Sequence, residues 1–275
     1  MKKILIIGKR GLIGNYLNKL WWLDYNIKLI SFSNFTRLKD NELRNFRFVI
    51  NCSLNKKYIS NKYNLKHDND LFISKKIAKL DIIQIMLSTR KVYKPRANIK
   101  ENSKTLGIDF YGRNKIITEN KCKKIKNNFL ILRISNILIS LENKKNRLHK
   151  TFLEHFKGYL TKDNFLINRN CFKDFITIKQ FSKIICLIVS RDLKRGIFNV
   201  SLNHKIYTYE ILNWLTKFKK DKIKIIYTKQ KNKDSFTLNN DKLCGKLDLK
   251  LKKIDVKNYC YELSSKYFQW KKKKL

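Results

Sequence analysis

Mainly apolar runs of strand length recur along the first half of the chain, at Ile4 to Ile7, Ile27 to Ile30, Phe48 to Asn51, Ile82 to Leu87 and Phe129 to Leu132. Between them lie segments whose apolar residues return at helical spacing. Runs without polar alternation fit strands covered on both faces, and strands separated by amphipathic helices predict βαβ units around a parallel sheet. The first helical segment shows the pattern in detail: Ile13, Leu17 and Leu20 share one face, with Leu12 and Tyr16 beside it. Beyond residue 140 the alternation becomes irregular, although Phe198 to Val200 and Lys222 to Tyr227 still read as strands. A last helix places Val256, Tyr259, Cys260, Leu263 and Tyr267 on one face that should dock on the body. The expected organisation is a core over residues 1–140, to which later strands near 165–203 return, and a smaller lobe built mainly from 141–275.

Composition narrows the class. The 275 residues are 43% hydrophobic and 12% aromatic, enough to bury a sizeable core. No apolar run approaches the ~18 to 20 residues that cross a bilayer, so a soluble chain is expected. Lys2 and Lys3 precede an apolar run, but it stops at Gly8 and is followed by Lys9 and Arg10. That is short of the ~7 to 15 residues of a secretory leader. The six cysteines, at 52, 122, 171, 186, 244 and 260, form no C-x-x-C pair. Reduced thiols in a cytoplasmic protein are expected, with no structural metal. The histidines, His67, His149, His155 and His204, show no pairing that suggests a site.

The formal net charge of +42 raises the question of nucleic acid. The excess is almost all lysine, spread from Lys2 to Lys274, and Asn and Ile are abundant as well. A general compositional bias accounts for this, so no specific nucleic-acid partner is expected, only nonspecific attraction to polyanions. The KKKKL ending reads as a solvated tail.

Chemistry enters at the opening MKKILIIGKRGLIG, where three of the chain's eight glycines, Gly8, Gly11 and Gly14, fall directly after a buried strand and before an amphipathic helix. This is the context of a dinucleotide-binding turn: the first glycine permits the tight turn, the second close approach of a pyrophosphate, the third helix-to-strand packing. The helix N-terminus then offers N–H groups and partial positive charge to phosphate. An acid at the end of the second strand normally accepts hydrogen bonds from the adenosine ribose. Here IKLI runs into Ser31, Phe32, Ser33 and Asn34, while Arg10 and Arg37 are placed to pair with a 2′-phosphate. NADP is therefore preferred over NAD.

Further motifs follow in a fixed order: VINCS (Val49 to Ser53), LSTRKVY (Leu87 to Tyr93), YGRNK (Tyr111 to Lys115), LRISN (Leu132 to Asn136), KDFITIKQ (Lys173 to Gln180) and GIFNVS (Gly196 to Ser201). Together with the opening turn they resemble the extended short-chain dehydrogenase/reductases, the NAD(P)-dependent sugar-nucleotide epimerases, dehydratases and reductases. Y-x-x-x-K occurs four times, at Tyr58, Tyr111, Tyr227 and Tyr267. Only Tyr111 stands between STRKVY and LRISN and carries the Y-G-x-x-K form.

The resemblance implies a Rossmann-type doubly wound parallel sheet with a smaller C-terminal substrate lobe, and a Thr-Tyr-Lys triad of Thr89, Tyr111 and Lys115 acting on a keto or hydroxy group of a nucleotide-linked sugar. Tyr111 would move the proton, Lys115 would stabilise its phenolate and hold the nicotinamide ribose, and Thr89 would bond the reacting oxygen. Cofactor contacts are expected from Gly8, Arg10, Gly11, Leu12, Ile13, Gly14, Arg37 and Cys52, with Tyr111 and Lys115. Substrate contacts are expected from Thr89, Tyr111 and Asn136, the last meeting a diphosphate. The resemblance also implies a homodimer. Arg90 and Lys91 replace the Asp-Glu pair of the dehydratases, which argues against dehydration by that route. GKRGLIG is closest to the turn of the 4-keto-6-deoxysugar epimerase/reductases, yet Cys122 and His155 do not match their proton-exchanging pair. VINCSLNK lacks the usual Ala-rich ending. These departures keep open a non-catalytic member that binds a nucleotide as a regulatory or binding module.

Overall fold

A computed structural model of the chain describes residues 2–21, 25–125, 128–139, 153, 164–220, 224–228 and 234–272. The side chain of Leu20, Lys222 and Ile223 of the expected late strand, His149, His155 and the end of the lysine tail lie outside the described residues. The chain divides into two compact units.

The first unit comprises Met1–Lys94, Glu101–Ile134 and Ser182–Asn199. In chain order its elements are β1 (Lys3–Ile7), α1 (Leu12–Trp21), β2 (Asn26–Ile30), α2 (Phe32–Arg37), α3 (Asp40–Leu43), β3 (Phe48–Asn51), α4 (Lys56–Ser60), α5 (Asn69–Lys76), β4 (Ile83–Thr89), α6 (Phe110–Ile125) and β5 (Phe129–Ile134). β1 pairs in parallel with β2 and β3, β3 with β4, and β4 with β5. Each expected apolar run lies in one of these strands, apart from Ile82, which immediately precedes β4. The reason the runs lack alternation is direct: Ile4 to Ile7 and all of β3 and β5 are buried on both faces. Leu5, Ile7, Val49, Phe35, Ile73 and Ile77 pack in one core cluster, and Leu71, Met86, Cys122, Phe129 and Ile131 in another.

The second unit comprises Pro95–Lys100, Ser135–Phe181 and Val200–Leu275. It carries β6 (Asn136–Leu138), β7 (Asn164–Asn168), β8 (Phe172–Lys173) and β9 (Phe175–Thr177), and α7 (Ile178–Ser190) begins in it. β10 (Gly196–Val200) then completes a six-stranded sheet of order β10-β5-β4-β3-β1-β2. The remaining elements are β11 (Ile206–Tyr207), α8 (Thr208–Leu215), β12 (Lys224–Thr228), α9 (Asp241–Leu247) and α10 (Lys253–Lys272). Three two-stranded pieces, β6 with β9, β7 with β12 and β8 with β11, replace a large sheet here. Of the strands in the 165–203 stretch, β10 joins the six-stranded sheet, whereas β7 pairs with β12. Along α10, Val256, Tyr259, Cys260 and Leu263 are buried and Tyr267 is half-buried. Among the described residues no helix is long and apolar enough to cross a membrane, and all six cysteines are free.

The strand order places the site. From β1 the chain steps to β2 on one side and β3 on the other, and the crevice beyond the carboxyl ends of β1 and β3 is the switch point at which α/β sheets accept ligands.

Candidate active site

Gly8 leaves β1 by donating to Ile30 O at 2.8 Å, and Lys9 N–H reaches the same carbonyl at 3.1 Å. Its φ is +129°, and a Cβ there would lie 2.8 Å from the carbonyl carbon of Cys52. Only glycine meets both conditions. Gly11 N–H donates to Gly8 O at 2.8 Å, and Asn15 Nδ2 clamps the turn by donating to Lys9 O and Gly11 O at 2.6 and 2.7 Å. Asn15 was not among the expected site residues, because its part is internal to the turn. α1 then begins at Leu12 and Ile13 with no acid in its first turn, and Gly14 packs beneath it, buried. The early N–H groups of such a helix lack intrahelical acceptors and attract anions. A dinucleotide fits this cradle: the backbone is bare, narrow and free of negative charge.

Arg10 is exposed in the turn and Arg37 at the end of α2. At the end of β2, Ser31 Oγ accepts from Asn34 N–H at 3.1 Å and lies 2.9 Å from Ser33 Oγ. Cys52, half-buried at the end of β3, has its thiol pushed up to about 12 by burial and by the charge of Asp70. It is therefore a packing and backbone residue of the crevice, with no thiolate character.

Thr89 ends β4, half-exposed, its Oγ1 accepting from Lys91 N–H at 3.3 Å. The short turn Arg90–Val92 that follows docks on the start of α6. Ile108 N–H donates to Lys91 O at 3.2 Å, and a Cβ on Gly112 would lie 2.2 Å from that same oxygen. The glycine of the Y-G-x-x-K form is thus needed for close approach of helix and turn. Asp109 caps the helix, its Oδ1 accepting from Gly112 N–H at 2.8 Å and its Oδ2 from Lys91 Nζ at 2.7 Å. Burial works to raise the Asp109 carboxyl, but Lys91 and the Gly112 N–H hold it below the usual carboxylate range.

Tyr111 and Lys115 lie one turn apart on α6, with the Lys115 Nζ 5.9 Å from the Tyr111 ring centroid and 5.6 Å from that of Tyr58. Desolvation raises the Tyr111 phenol above its ordinary value; Lys115 opposes this, and Asp70 and Asp109 add to the rise. Lys115 is fully buried and bonds Asp70 Oδ2 at 2.8 Å. Burial works to lower its pKa, yet Asp70 foremost, with Tyr111 and Tyr58, raises it above the ordinary lysine value. Sequence reasoning missed Asp70 altogether.

Three of the diagnostic motifs converge on one buried network. Ser88 Oγ donates to Glu119 Oε1 at 2.6 Å, Arg133 Nη2 to Glu119 Oε2 at 2.7 Å and Arg133 Nη1 to Tyr93 Oη at 2.6 Å. Tyr93 Oη in turn donates to Asn199 at 3.1 Å. STRKVY, LRISN and GIFNVS therefore mark a structural network as much as a site.

Asn136 belongs to the second unit, where both its N–H and its Nδ2 donate to Asp174 O, at 3.3 and 3.2 Å. Beside it, Ser135 Oγ is buried with no hydrogen-bond partner. Asp174 is itself buried, accepting from the N–H groups of Leu202, Asn203 and Leu238 at 2.9, 3.1 and 3.0 Å. Its chemistry is that of a tie between loops. Among the described residues no group of three or more His, Cys, Asp or Glu side chains is placed to hold a metal ion.

The parallel sheet with a glycine turn at its switch point is an α/β fold of the Rossmann type. No protein-family model and no curated protein matches the chain, but solved structures do. It superposes on the UDP-N-acetylglucosamine 4-epimerase of Methanobrevibacter ruminantium M1, solved with UDP-N-acetylmuramic acid, at a TM-score of 0.78 and 16% identity, over 98% of this chain and 99% of that one. The dTDP-4-dehydrorhamnose reductase of Bacillus anthracis, in complex with NADP, matches at a TM-score of 0.74 and 15% identity, over 98% and 99%. The dTDP-glucose 4,6-dehydratase of the same organism, in complex with NAD, matches at 0.74 and 14%, over 98% and 97%. These are sugar-nucleotide epimerases, reductases and dehydratases, the group the motifs resemble, and at such identities the likeness establishes the fold.

Proposed function

We propose that this protein is an NAD(P)-dependent oxidoreductase or epimerase acting on a nucleotide-linked sugar, with Thr89, Tyr111 and Lys115 as its reacting set and NADP the preferred cofactor. The observation that supports this reading is the docking of the start of α6 on the turn after Thr89 through Gly112, the residue that follows Tyr111. Gly8, Gly11, Leu12, Ile13, Gly14 and Cys52 would cradle the dinucleotide, and Arg10 and Arg37 its 2′-phosphate. The bound nicotinamide supplies hydride exchange. Lys115 spends one of its three N–H donors on Asp70, which leaves two for ribose hydroxyls. Tyr111 moves the proton at the sugar oxygen, Thr89 bonds that oxygen, and the resemblance assigns Asn136 to the substrate's diphosphate. The absence of an Asp-Glu pair after Thr89 favours a reductase or epimerase over a dehydratase. The same reading makes the protein cytoplasmic and a homodimer.

Replacing Tyr111 by Phe is expected to lower turnover about 10²- to 10⁴-fold with cofactor binding retained; unchanged turnover would remove Tyr111 from the mechanism. A second reading, a nucleotide-binding module without catalysis, is favoured by the commitment of Thr89 Oγ1 to Lys91 N–H and of Lys115 to Asp70. A thermal-shift screen with NAD, NADP and sugar nucleotides, followed by an NADPH oxidation assay, separates the two, since a true ligand stabilises by mass action. Stabilisation by NADP with neither NADPH oxidation on any 4-keto sugar nucleotide nor epimerisation of any sugar nucleotide would favour the module.

A further inference from the structure

The buried ion pair between Lys115 and Asp70 is more than either residue's packing requires. The side chains are 1% and 4% exposed. Asp70 is held from its far side as well, its Oδ1 accepting from Asn51 Nδ2 at 2.8 Å, so the carboxylate is aimed at the ammonium and fixed there. Asn51 is fixed in turn, its Oδ1 accepting from both the N–H and the hydroxyl of Ser53. Among the charged and titratable groups that face Tyr111 are Lys115 from its own helix, Asp70 from α5, Asp109 from the helix cap and the Tyr58 ring from α4, 6.4 Å away edge-on. Asp70 is faced in addition by Asp68 and by the thiols of Cys52 and Cys122. A cation alone beside a buried phenol favours the phenolate; a cation tied to a carboxylate at 2.8 Å is largely neutralised, and a second anion, Asp109, stands on the same side of the balance.

We propose that Asp70 is a positioning residue that neutralises Lys115 and so keeps Tyr111 an un-ionised phenol, poised to give a proton rather than to take one. The site is thereby set for reduction of a ketone carried by the sugar nucleotide. This rests on the reading of Tyr111 as the proton-transfer group. In that step Tyr111 Oη gives its proton to the carbonyl oxygen while the carbonyl carbon accepts a hydride from a reduced nicotinamide dinucleotide. The C=O π bond breaks, one C–H and one O–H bond form, the ketone becomes a secondary alcohol and the nicotinamide is oxidised. The tyrosinate recovers its proton from water.

The test is a titration of the cofactor-free protein carrying tyrosine labelled with ¹³C at Cζ, the Tyr111 resonance being the one missing from Tyr111→Phe. In Asp70→Asn the midpoint of Tyr111 is expected to fall by about one pH unit or more, while that of Tyr93, in the Arg133 network, stays in place. An unchanged Tyr111 midpoint in folded Asp70→Asn overturns the proposal. Should that variant not fold, the double variant Asp70→Asn/Lys115→Met carries neither buried charge. Its Tyr111 is expected within about half a unit of wild type if Asp70 cancels Lys115, and more than about one unit higher if Lys115 acted uncancelled. The titration is independent of turnover. A Tyr111→Phe enzyme with full activity would sink the catalytic reading and leave the electrostatic result standing.

Discussion

Helix α6 buries two charges of opposite sign one turn apart, Lys115 and Glu119, and satisfies them in different ways. Glu119 is closed in: Arg133 reaches it through Nε and Nη2, Ser88 through its hydroxyl, and Arg133 spends its remaining edge on Tyr93 and the carbonyl of Glu101. The guanidinium fork matches the carboxylate, and four of its five N–H donors are spent on Glu119, Tyr93 and the carbonyl of Glu101. Lys115 makes a single hydrogen bond among the described residues, to Asp70, and turns toward two tyrosine rings. A compact ammonium with donors to spare is a group that can still act. Two ion pairs of similar burial on one helix thus differ in the number of N–H donors left uncommitted, and the proposed function assigns the reacting role to the one with more to spare.

The largest way to break the comparison is Arg133→Met, which strands Glu119 in the core. Loss of about 3–5 kcal/mol of stability is expected in urea unfolding, with the Tyr111 titration unmoved in whatever remains folded. A loss below about 1 kcal/mol would mean that Glu119 is not closed in. Gly112→Ala puts a methyl into Lys91 O and should cost about 1–3 kcal/mol. Because it forces α6 off the turn after Thr89, turnover should fall more than stability does; an active Gly112→Ala enzyme would contradict the docking argument.

A third buried carboxylate sharpens the contrast. Among the described residues Asp174 faces backbone N–H groups and no cation, and burial pushes its pKa up to about 7. The folded state then binds more protons than the unfolded state between the two values. The contribution of Asp174 is full below the unfolded value of 3.8 and is lost as pH rises toward 7. Relative to Asp174→Asn, stability should decline by about 2–3 kcal/mol from pH 5 to pH 8. A flat difference would show that the N–H groups hold the carboxylate charged at both values. The smallest effect is expected at the surface: Arg10→Ala should lower the preference for NADP over NAD about tenfold and leave stability alone, as read by cofactor titration.

The first unit was legible in sequence wherever one strand or one turn carried its own pattern. The runs at Ile4, Phe48 and Phe129 mark strands because both faces of these parallel strands are covered, whereas the run at Ile27 lies in the half-exposed edge strand β2. Gly8 is marked by the strand before it and the helix after it. Tyr111 and Lys115 were separable from three other Y-x-x-x-K matches by position alone. What was not legible depends on pairing across the fold. Asp70 lies 45 residues from Lys115, on a helix whose apolar pattern is weak, and no spacing links the two. Asn136 matches a substrate-binding asparagine by motif, yet whether its amide is spent on the carbonyl of Asp174 is decided by a segment 38 residues on. Arg133 and Tyr93 read as part of a functional signature, and the hydrogen bonds that bury them show that they fasten β5, α6 and the turn that follows β4 together.

The most direct test of the account is NADPH oxidation by the purified protein over a panel of 4-keto sugar nucleotides, run beside Tyr111→Phe with cofactor binding measured on both. The account predicts oxidation by the wild type on at least one member, and a loss of about 10²-fold or more in Tyr111→Phe with NADPH binding intact. No NADPH binding by the wild type, or equal rates in the two proteins, would contradict it.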